Sequence, residues 1–266
     1  MHDIKCGLIR KRNLMPFAQF LFLFTTYYIS ANKMSILPSA VDYLICCFAG
    51  TEPLLTMART EFKFPVIWLQ ILLCPVVLNM DYMLDDLQKT GEQILIRCQY
   101  RYKWFLSKCI WNICSSFAYF SCALISAIII SHLSGNFSFD YNSTLTAFFG
   151  VFLQKKATPI ILLITVIILP FLTIATLNTL QMILCLYIKP VYSFLTCLTL
   201  LVLAVFYDSS FLLGTGAMLI RSTTSQHQNI VQLVQMVLFM VVLLFLLLSA
   251  GIIRIKKYDF LDSNHT

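Results

Sequence analysis

The chain has 266 residues, of which 59% are hydrophobic and 12% are charged, and its mean hydropathy is +0.82. A soluble domain carries about a quarter charged residues, so this composition excludes an ordinary soluble protein and indicates an integral membrane protein. The net charge of +7 comes from 19 Lys and Arg against 12 Asp and Glu. Membrane topology explains that balance better than nucleic acid does, and no nucleic-acid partner is expected.

Six apolar runs follow one another along the chain, and each is a candidate for crossing a bilayer, which takes about 20 mostly apolar residues. The second run is short and carries Pro65 and Pro75. The fourth belongs to a charge-free stretch, 157–188, in which Pro170 should kink the helix. The predicted spans are residues 13–32, 64–80, 109–131, 157–180, 190–207 and 230–253.

Six crossings place both termini and the polar segment 81–108 on the same side of the membrane. Roughly two thirds of the 19 lysine and arginine residues then lie on that side, and basic residues accumulate in cytoplasmic loops. We therefore expect one all-α membrane domain over residues 1–266, with cytoplasmic N- and C-termini.

Two external segments are too apolar for simple loops. Residues 33–63 contain an apolar piece interrupted by Pro38 and Asp42, which could lie along the outer interface or dip into the membrane. Residues 208–228 contain an apolar piece that is too short to cross, preceded by Asp208 and broken by Gly214 and Gly216. A re-entrant or interfacial helix pair before the sixth span is expected there, since irregular backbone at membrane depth must be buried in protein or line water.

The polar segment 81–108 is acidic at its start and basic at its end, and it lies between the second and third spans. If Gly91 to Lys108 is helical, one stripe of that helix is apolar and the neighbouring stripe is basic, which predicts an amphipathic helix in the cytoplasmic interface. The apolar stripe holds Leu95, Cys98, Tyr102 and Phe105, and the basic stripe holds Arg97, Arg101 and Lys108.

Carboxylates gain little from an anionic membrane surface. Those of the polar segment are better placed to pair with basic residues of a partner protein or to cap the start of the helix. Two interpretations stay open. The segment either only anchors the fold at the membrane surface, or docks a cytoplasmic partner subunit.

The sequence GEQILIRCQYRYKWFLSK resembles the segment before the third span of type-2 ATP-binding-cassette (ABC) exporter permeases. In that resemblance the family's acidic position corresponds to Glu92 and its aliphatic run to Ile-Leu-Ile at 94–96. Its basic positions correspond to Arg101 and Lys108. Residues 98–101, Cys-Gln-Tyr-Arg, depart from the small-Ser-Arg turn common in the family. The six-span plan, the broken segment before the last span and the basic tail GIIRIKKYDFLD are also similar.

The resemblance implies that the polar segment is a coupling helix that fits a groove on a separate ABC ATPase subunit. The docking residues it implies are Asp85, Asp86, Gly91, Glu92, Leu95, Arg97, Arg101 and Lys108. The chain has no G-x-x-x-x-G-K-[ST] motif, so no cofactor is expected on it, and ATP and Mg would be bound by the ATPase.

The resemblance further implies a second permease subunit, identical or different, in a bacterial cytoplasmic membrane. The cargo it implies is hydrophobic or amphipathic, such as a bacteriocin-like antimicrobial peptide.

Two other classes of function stay open, an ATP-independent secondary transporter or channel and a polytopic scaffold or sensor. Secondary transporters usually carry charged residues within their spans, and these spans have almost none, which favours an external energy source. No catalytic or metal site is predicted, and the ten cysteines are interpreted as small hydrophobic residues. Five polar residues within the spans are expected to hydrogen-bond between helices: Gln70, Asn112, Asn178, Gln232 and Gln235. For Gln232 and Gln235, a place in a translocation path is the alternative.

Overall fold

The computed structural model describes residues 14–52, 64–80, 82, 101–140, 142, 159–207, 209, 211–224 and 230–257. All regular secondary structure within these ranges is helical. The α-helices are α1 (Leu14–Asn32), α2 (Ala40–Phe48), α3 (Val66–Leu78), α4 (Arg101–Leu133), α5 (Pro159–Leu163), α6 (Leu169–Leu184), α7 (Pro190–Phe206), α8 (Leu219–Thr224) and α9 (Ile230–Lys257).

Each of the six apolar runs corresponds to a helix or a continuous helical stretch, but their lengths differ. Three are long and apolar enough to cross a membrane: Tyr102–Leu133, Ile161–Leu184 and Val231–Ile255. The helices α3 and α7 are apolar but shorter, at 13 and 17 residues. The described residues therefore belong to an all-helical protein with three candidate spanning helices.

The third predicted span, 109–131, is part of a longer helix that also contains residues 101–108 of the predicted amphipathic helix. α4 begins at Arg101 rather than at about residue 109, and it continues to Leu133 without interruption. Its 33 residues extend about 50 Å, against about 30 Å for the hydrocarbon core. The basic end of the polar segment is therefore the first two turns of this helix.

A π-helical turn, Ile164–Ile168, joins α5 to α6 immediately before Pro170. A proline inside a helix lacks the N–H that would continue the α-helical pattern, and the widened turn absorbs the missing bond. The Thr165 hydroxyl donates to the carbonyl of Ile161 at 2.9 Å within the same region. The irregularity expected at Pro170 thus takes the form of a π-turn.

α4 is the central helix and packs against α1, α2, α6 and α9. Aromatic rings join α1 to α4 and α2, with ring centroids 5.3 Å apart for both Phe20–Tyr119 and Phe24–Tyr43. We call the end of the molecule at which α4 begins the basal end, and the end at which it finishes the distal end. The described part of the polar segment, Tyr82 and residues 101–108, lies at the basal end.

Candidate functional site

Most of the predicted docking residues lie outside the described part of the chain. Arg101 is the first residue of α4, and Lys108 lies two turns further along it. Those outside the described residues are Asp85, Asp86, Gly91, Glu92, Leu95 and Arg97.

Lys108 lies inside the protein at the basal end. Its side chain is only 2% exposed, and its Nζ donates to the hydroxyl of Tyr82 at 3.2 Å. The same ammonium lies 5.1 Å from the centroid of the Tyr82 ring and 5.7 Å from that of Trp104. Aromatic faces attract a cation electrostatically, most strongly where water is excluded. The prediction that Lys108 lies on the basic, interfacial stripe of an amphipathic helix is therefore wrong, because α4 turns this side chain towards the bundle.

A close approach of α4 and α9 fixes the basal end of both helices. Phe105 is fully buried, and a Cβ built on Gly251 of α9 would lie 2.2 Å from its ring. Only glycine leaves room for the ring at this crossing. Buried Trp104, Met182 and Ile255 belong to the same apolar cluster, which joins α4, α6 and α9.

Polar side chains of α4 and α6 hydrogen-bond to one another above this apolar cluster. The Asn112 amide donates to the Thr179 hydroxyl at 3.3 Å, and the Asn178 amide donates to the Ser116 hydroxyl at 2.8 Å. The prediction of hydrogen bonds between helices is confirmed for Asn112 and Asn178. We call these four residues and Gln181 the amide cluster.

Three atoms of the amide cluster are buried without a hydrogen-bond partner: Oδ1 of Asn178, and both Oε1 and Nε2 of Gln181. Gln181 is 2% exposed. A buried polar atom left unpaired costs about 1–3 kcal/mol. The cluster therefore has hydrogen-bonding capacity, as donor and as acceptor, that an uncharged polar ligand or water could use.

The predicted re-entrant segment is a buried, irregular piece at the distal end. Asp208 lies outside the described residues, whereas Gly214 has a positive φ of 108° and starts a 3₁₀ turn, Thr215–Ala217. A Cβ on Gly214 would lie 3.1 Å from the ring of Trp68, whose Nε1 donates to the carbonyl of Ala217 at 3.2 Å. Gly216 is also buried and faces Leu169, at the end of the π-turn.

Arg221 attaches this distal segment to two neighbouring elements. Its Nη1 donates to the carbonyls of Ala204 and Tyr207 at 2.6 and 2.9 Å, and its Nη2 donates to that of Val205 at 2.6 Å. Its Nε donates to the carbonyl of Thr51 at 3.1 Å. The guanidinium thus caps the last turn of α7, where carbonyls lack helical partners and the helix dipole favours a cation. The sequence analysis did not single out Arg221.

Asp42 lies in the first turn of the other distal element, α2. Its Oδ2 accepts from the Ser39 N–H at 2.9 Å and its Oδ1 accepts from the Asn142 N–H at 3.0 Å, while its own N–H donates to the Ser39 hydroxyl. Burial raises the pKa of this carboxyl, and the backbone donors partly offset the shift. The Ser-x-x-Asp spacing is a capping-box signal that the sequence carries at 39–42.

The two distal elements also meet directly. The Ile220 N–H donates to the carbonyl of Ala49 at 3.0 Å, and Gly50, with a φ of 73°, lies against Met218. A Cβ at Gly50 would come within 2.6 Å of the Met218 side chain. Together with the bonds of Arg221, these contacts join the two distal elements into one cap at the distal end.

A family model, described as "Protein of unknown function (DUF2705)", covers residues 17–261. No curated protein and no solved structure matches the chain.

Proposed function

The chain belongs to the DUF2705 family, and we propose that it is the membrane-spanning permease subunit of an ABC-type exporter. ATP hydrolysis by a separate subunit would drive a hydrophobic or amphipathic cargo, such as an antimicrobial peptide, across the bacterial cytoplasmic membrane. The proposal rests on the resemblance of residues 91–108 to the coupling segment of type-2 ABC permeases and on the helix into which that segment leads.

In this proposal the chain crosses the membrane six times and its termini are cytoplasmic. α1, α3 and the continuous stretch from α5 to α6 would be the first, second and fourth spans, with α4, α7 and α9 as the others. α3 is about 20 Å long, so local thinning of the bilayer or snorkelling of flanking residues would accommodate it. The distal cap of α2 and residues 209–221 would then lie at the outer face.

The observation that carries the proposal is the continuity of α4 from the polar segment into the bundle. A helix without a break transmits displacement along its axis, because its backbone hydrogen bonds run through every turn. Phe105 and Trp104 at its start pack against α6 and α9. A partner that pushes on the polar segment would therefore move the basal ends of three helices together.

The direct test is a charge reversal in the polar segment. When the chain is purified from native membranes, Glu92→Lys combined with Arg101→Glu should abolish co-purification of a protein that contains a Walker A sequence. The variant should still insert into the membrane. The matched control is Lys33→Glu combined with Asp140→Lys, which reverses two exposed charges at the distal end and should leave co-purification unchanged.

Unchanged co-purification with the basal variant would contradict the docking role. Loss of the ATPase from both variants would point instead to a general folding defect. Mass spectrometry of the retained protein decides whether it carries the Walker A sequence.

One observation favours a second candidate, an ATP-independent transporter. Ion-coupled transporters carry buried ionisable groups, and Lys108 is a buried cation on α4. Uptake of a labelled amphipathic peptide into inverted vesicles separates the two candidates. ATP-dependent uptake supports the permease, whereas uptake driven by an ion gradient and lost in Lys108→Gln supports the second candidate. No uptake under either condition would leave a scaffold or sensor as the remaining class.

A further inference from the structure

Charged residues of the described ranges are divided unequally between the two ends of the molecule. The acidic ones, Asp42, Glu52 and Asp140, all lie at the distal end. Within the same ranges the basal end carries basic residues only, on α4, after α6 and on the last turns of α9: Arg101, Lys103, Lys108, Lys189, Arg254, Lys256 and Lys257. Such a distribution favours an anion as ligand at the basal end.

Arg254 of α9 is held against the ring of Tyr187, which lies in the turn between α6 and α7. The guanidinium carbon is 4.5 Å from the ring centroid, and the Tyr187 side chain is 55% exposed. A guanidinium that stacks on a ring has its N–H donors in its own plane, in a fork that matches two oxygens of a phosphate. The stacking therefore orients this cation for binding an anion.

Lys189 places a second cation next to this stacked pair. It is exposed and follows Tyr187 by two residues, which separates the two by at most about 7 Å of backbone. Beside it, the first turn of α7 presents the exposed apolar and aromatic side chains of Val191 and Tyr192. We call Arg254, Tyr187 and Lys189 the basal cation site.

The depth of Arg254 indicates what kind of anion the site meets. Arg254 is the next-to-last residue of the candidate span Val231–Ile255, and its neighbour Ile253 is 59% exposed. A long basic side chain at the end of a spanning helix reaches the headgroup level. Exposed tyrosines are typical of the same level, and basic pockets between helices there bind the headgroups of anionic lipids.

We propose that the basal cation site binds the phosphate of an anionic phospholipid such as phosphatidylglycerol. Arg254 and Lys189 contact the headgroup, Tyr187 holds the guanidinium in place, and the acyl chains lie along the exposed start of α7. Lipid binding here requires neither an ATPase subunit nor a particular orientation of the chain in the membrane, and so goes beyond the proposed function.

The test is titration of the purified chain in detergent with phosphatidylglycerol, with bound lipid counted by native mass spectrometry. Arg254→Gln combined with Lys189→Gln should weaken binding of the first lipid about thirtyfold, since each basic side chain at an anionic surface contributes about a factor of five. Phosphatidylcholine, which has no net charge, should bind the wild type more weakly than phosphatidylglycerol does. Inorganic phosphate at the same concentration should not displace the lipid.

The matched control is Lys33→Gln combined with Lys103→Gln. It removes two exposed lysines outside the site, one at each end of the molecule, and should leave the affinity for phosphatidylglycerol unchanged. Equal weakening in the two double variants, equal affinity for the two lipids, or displacement by inorganic phosphate would overturn the proposal. A soluble protein that is lost from the Arg254 and Lys189 variant while its lipid affinity is unchanged would assign the site to a protein partner instead.

A second variant tests the ring separately from the charges. Tyr187→Leu keeps both cations and should weaken lipid binding about threefold, because it removes the stacking that orients Arg254. Tyr187→Phe retains the ring and should bind as the wild type does. Wild-type affinity in Tyr187→Leu would contradict the role of the ring. Circular dichroism without added lipid checks that each variant is folded, and co-purification of the ATPase is measured separately, so failure of this site and of the docking role are distinguishable.

Discussion

The two ends of the molecule treat their polar groups in opposite ways. At the distal end, Arg221 donates to four backbone carbonyls, and each carboxylate oxygen of Asp42 accepts from a backbone N–H. At the basal end, Lys108 lies between aromatic rings, and Gln181 leaves both amide atoms unpaired. The comparison indicates a rigid cap at one end and unused hydrogen-bonding capacity at the other.

The difference has a physical basis. The hydrogen bonds of Arg221 and Asp42 favour one arrangement of the distal cap, since any displacement breaks several of them at once. Unpaired buried atoms make the present arrangement of the basal end costly, and another arrangement or a ligand could satisfy them. We therefore expect substitutions at the distal end to affect stability most, and those at the basal end to affect activity.

The largest expected effect is that of Arg221→Ala. The substitution removes the cationic donor from four carbonyls, three at the end of α7 and one at Thr51. It should lower the free energy of unfolding by about 3 kcal/mol. Thermal unfolding in detergent can be followed with a thiol-reactive dye, because Cys46, Cys47 and Cys197 are buried free thiols. An unfolding temperature equal to that of the wild type would contradict the capping role of Arg221.

Arg221→Lys is the matched control for this prediction. An ammonium keeps the charge and has three donors, but it lacks the planar geometry that reaches several carbonyls at once. We expect an unfolding temperature between those of the wild type and Arg221→Ala.

Gly251→Ala tests the crossing of α4 and α9 at the basal end. The added methyl group would overlap the Phe105 ring, and overpacking of this kind costs about 1–3 kcal/mol. The same unfolding assay measures the loss. Adding Phe105→Leu to Gly251→Ala should recover part of the stability. If the loss of stability in the double variant equals the sum of the losses in the two single variants, the two sites do not contact each other.

The smallest effect, and one of opposite sign, is expected for Gln181→Leu. Because neither amide atom of Gln181 is hydrogen-bonded, an apolar side chain of similar size should raise stability by up to about 1 kcal/mol. Asn112→Leu, which breaks the bond to Thr179, should lower it by about as much. If peptide uptake into inverted vesicles falls in Gln181→Leu despite the added stability, the amide serves function rather than folding. A loss of stability in Gln181→Leu would show that the amide is paired.

Hydropathy predicted the existence of the main helices well, because long apolar runs in a membrane protein have no alternative but helix. α1 and α7 begin and end within one residue of their predicted limits. The helix expected over residues 91–108 is confirmed for its described part, 101–108. Its continuity with the third span was not predicted, since Arg101, Lys103 and Lys108 lower the hydropathy without interrupting the helix. No glycine or proline lies in that stretch to end it.

The candidate site was predicted less well, because its key contacts join residues far apart in sequence. Nothing local indicates that Arg221 donates to the carbonyls of residues 51 and 204–207. Gln181 lies in a charge-free run and carries no signal of being unpaired. The Ser39 to Asp42 capping box, in contrast, is a local pattern that could have been recognised.

The central claim is that the polar segment 81–108 faces the cytoplasm, where an ATPase can bind it. Labelling of Cys98 with a membrane-impermeant thiol reagent tests this most directly, in a chain with Cys6→Ser and with Lys33→Cys as the distal-end reference. The account predicts that Lys33→Cys is labelled in intact cells, whereas Cys98 is labelled only after the membrane is opened. Labelling of Cys98 in intact cells would place the segment outside and contradict the account.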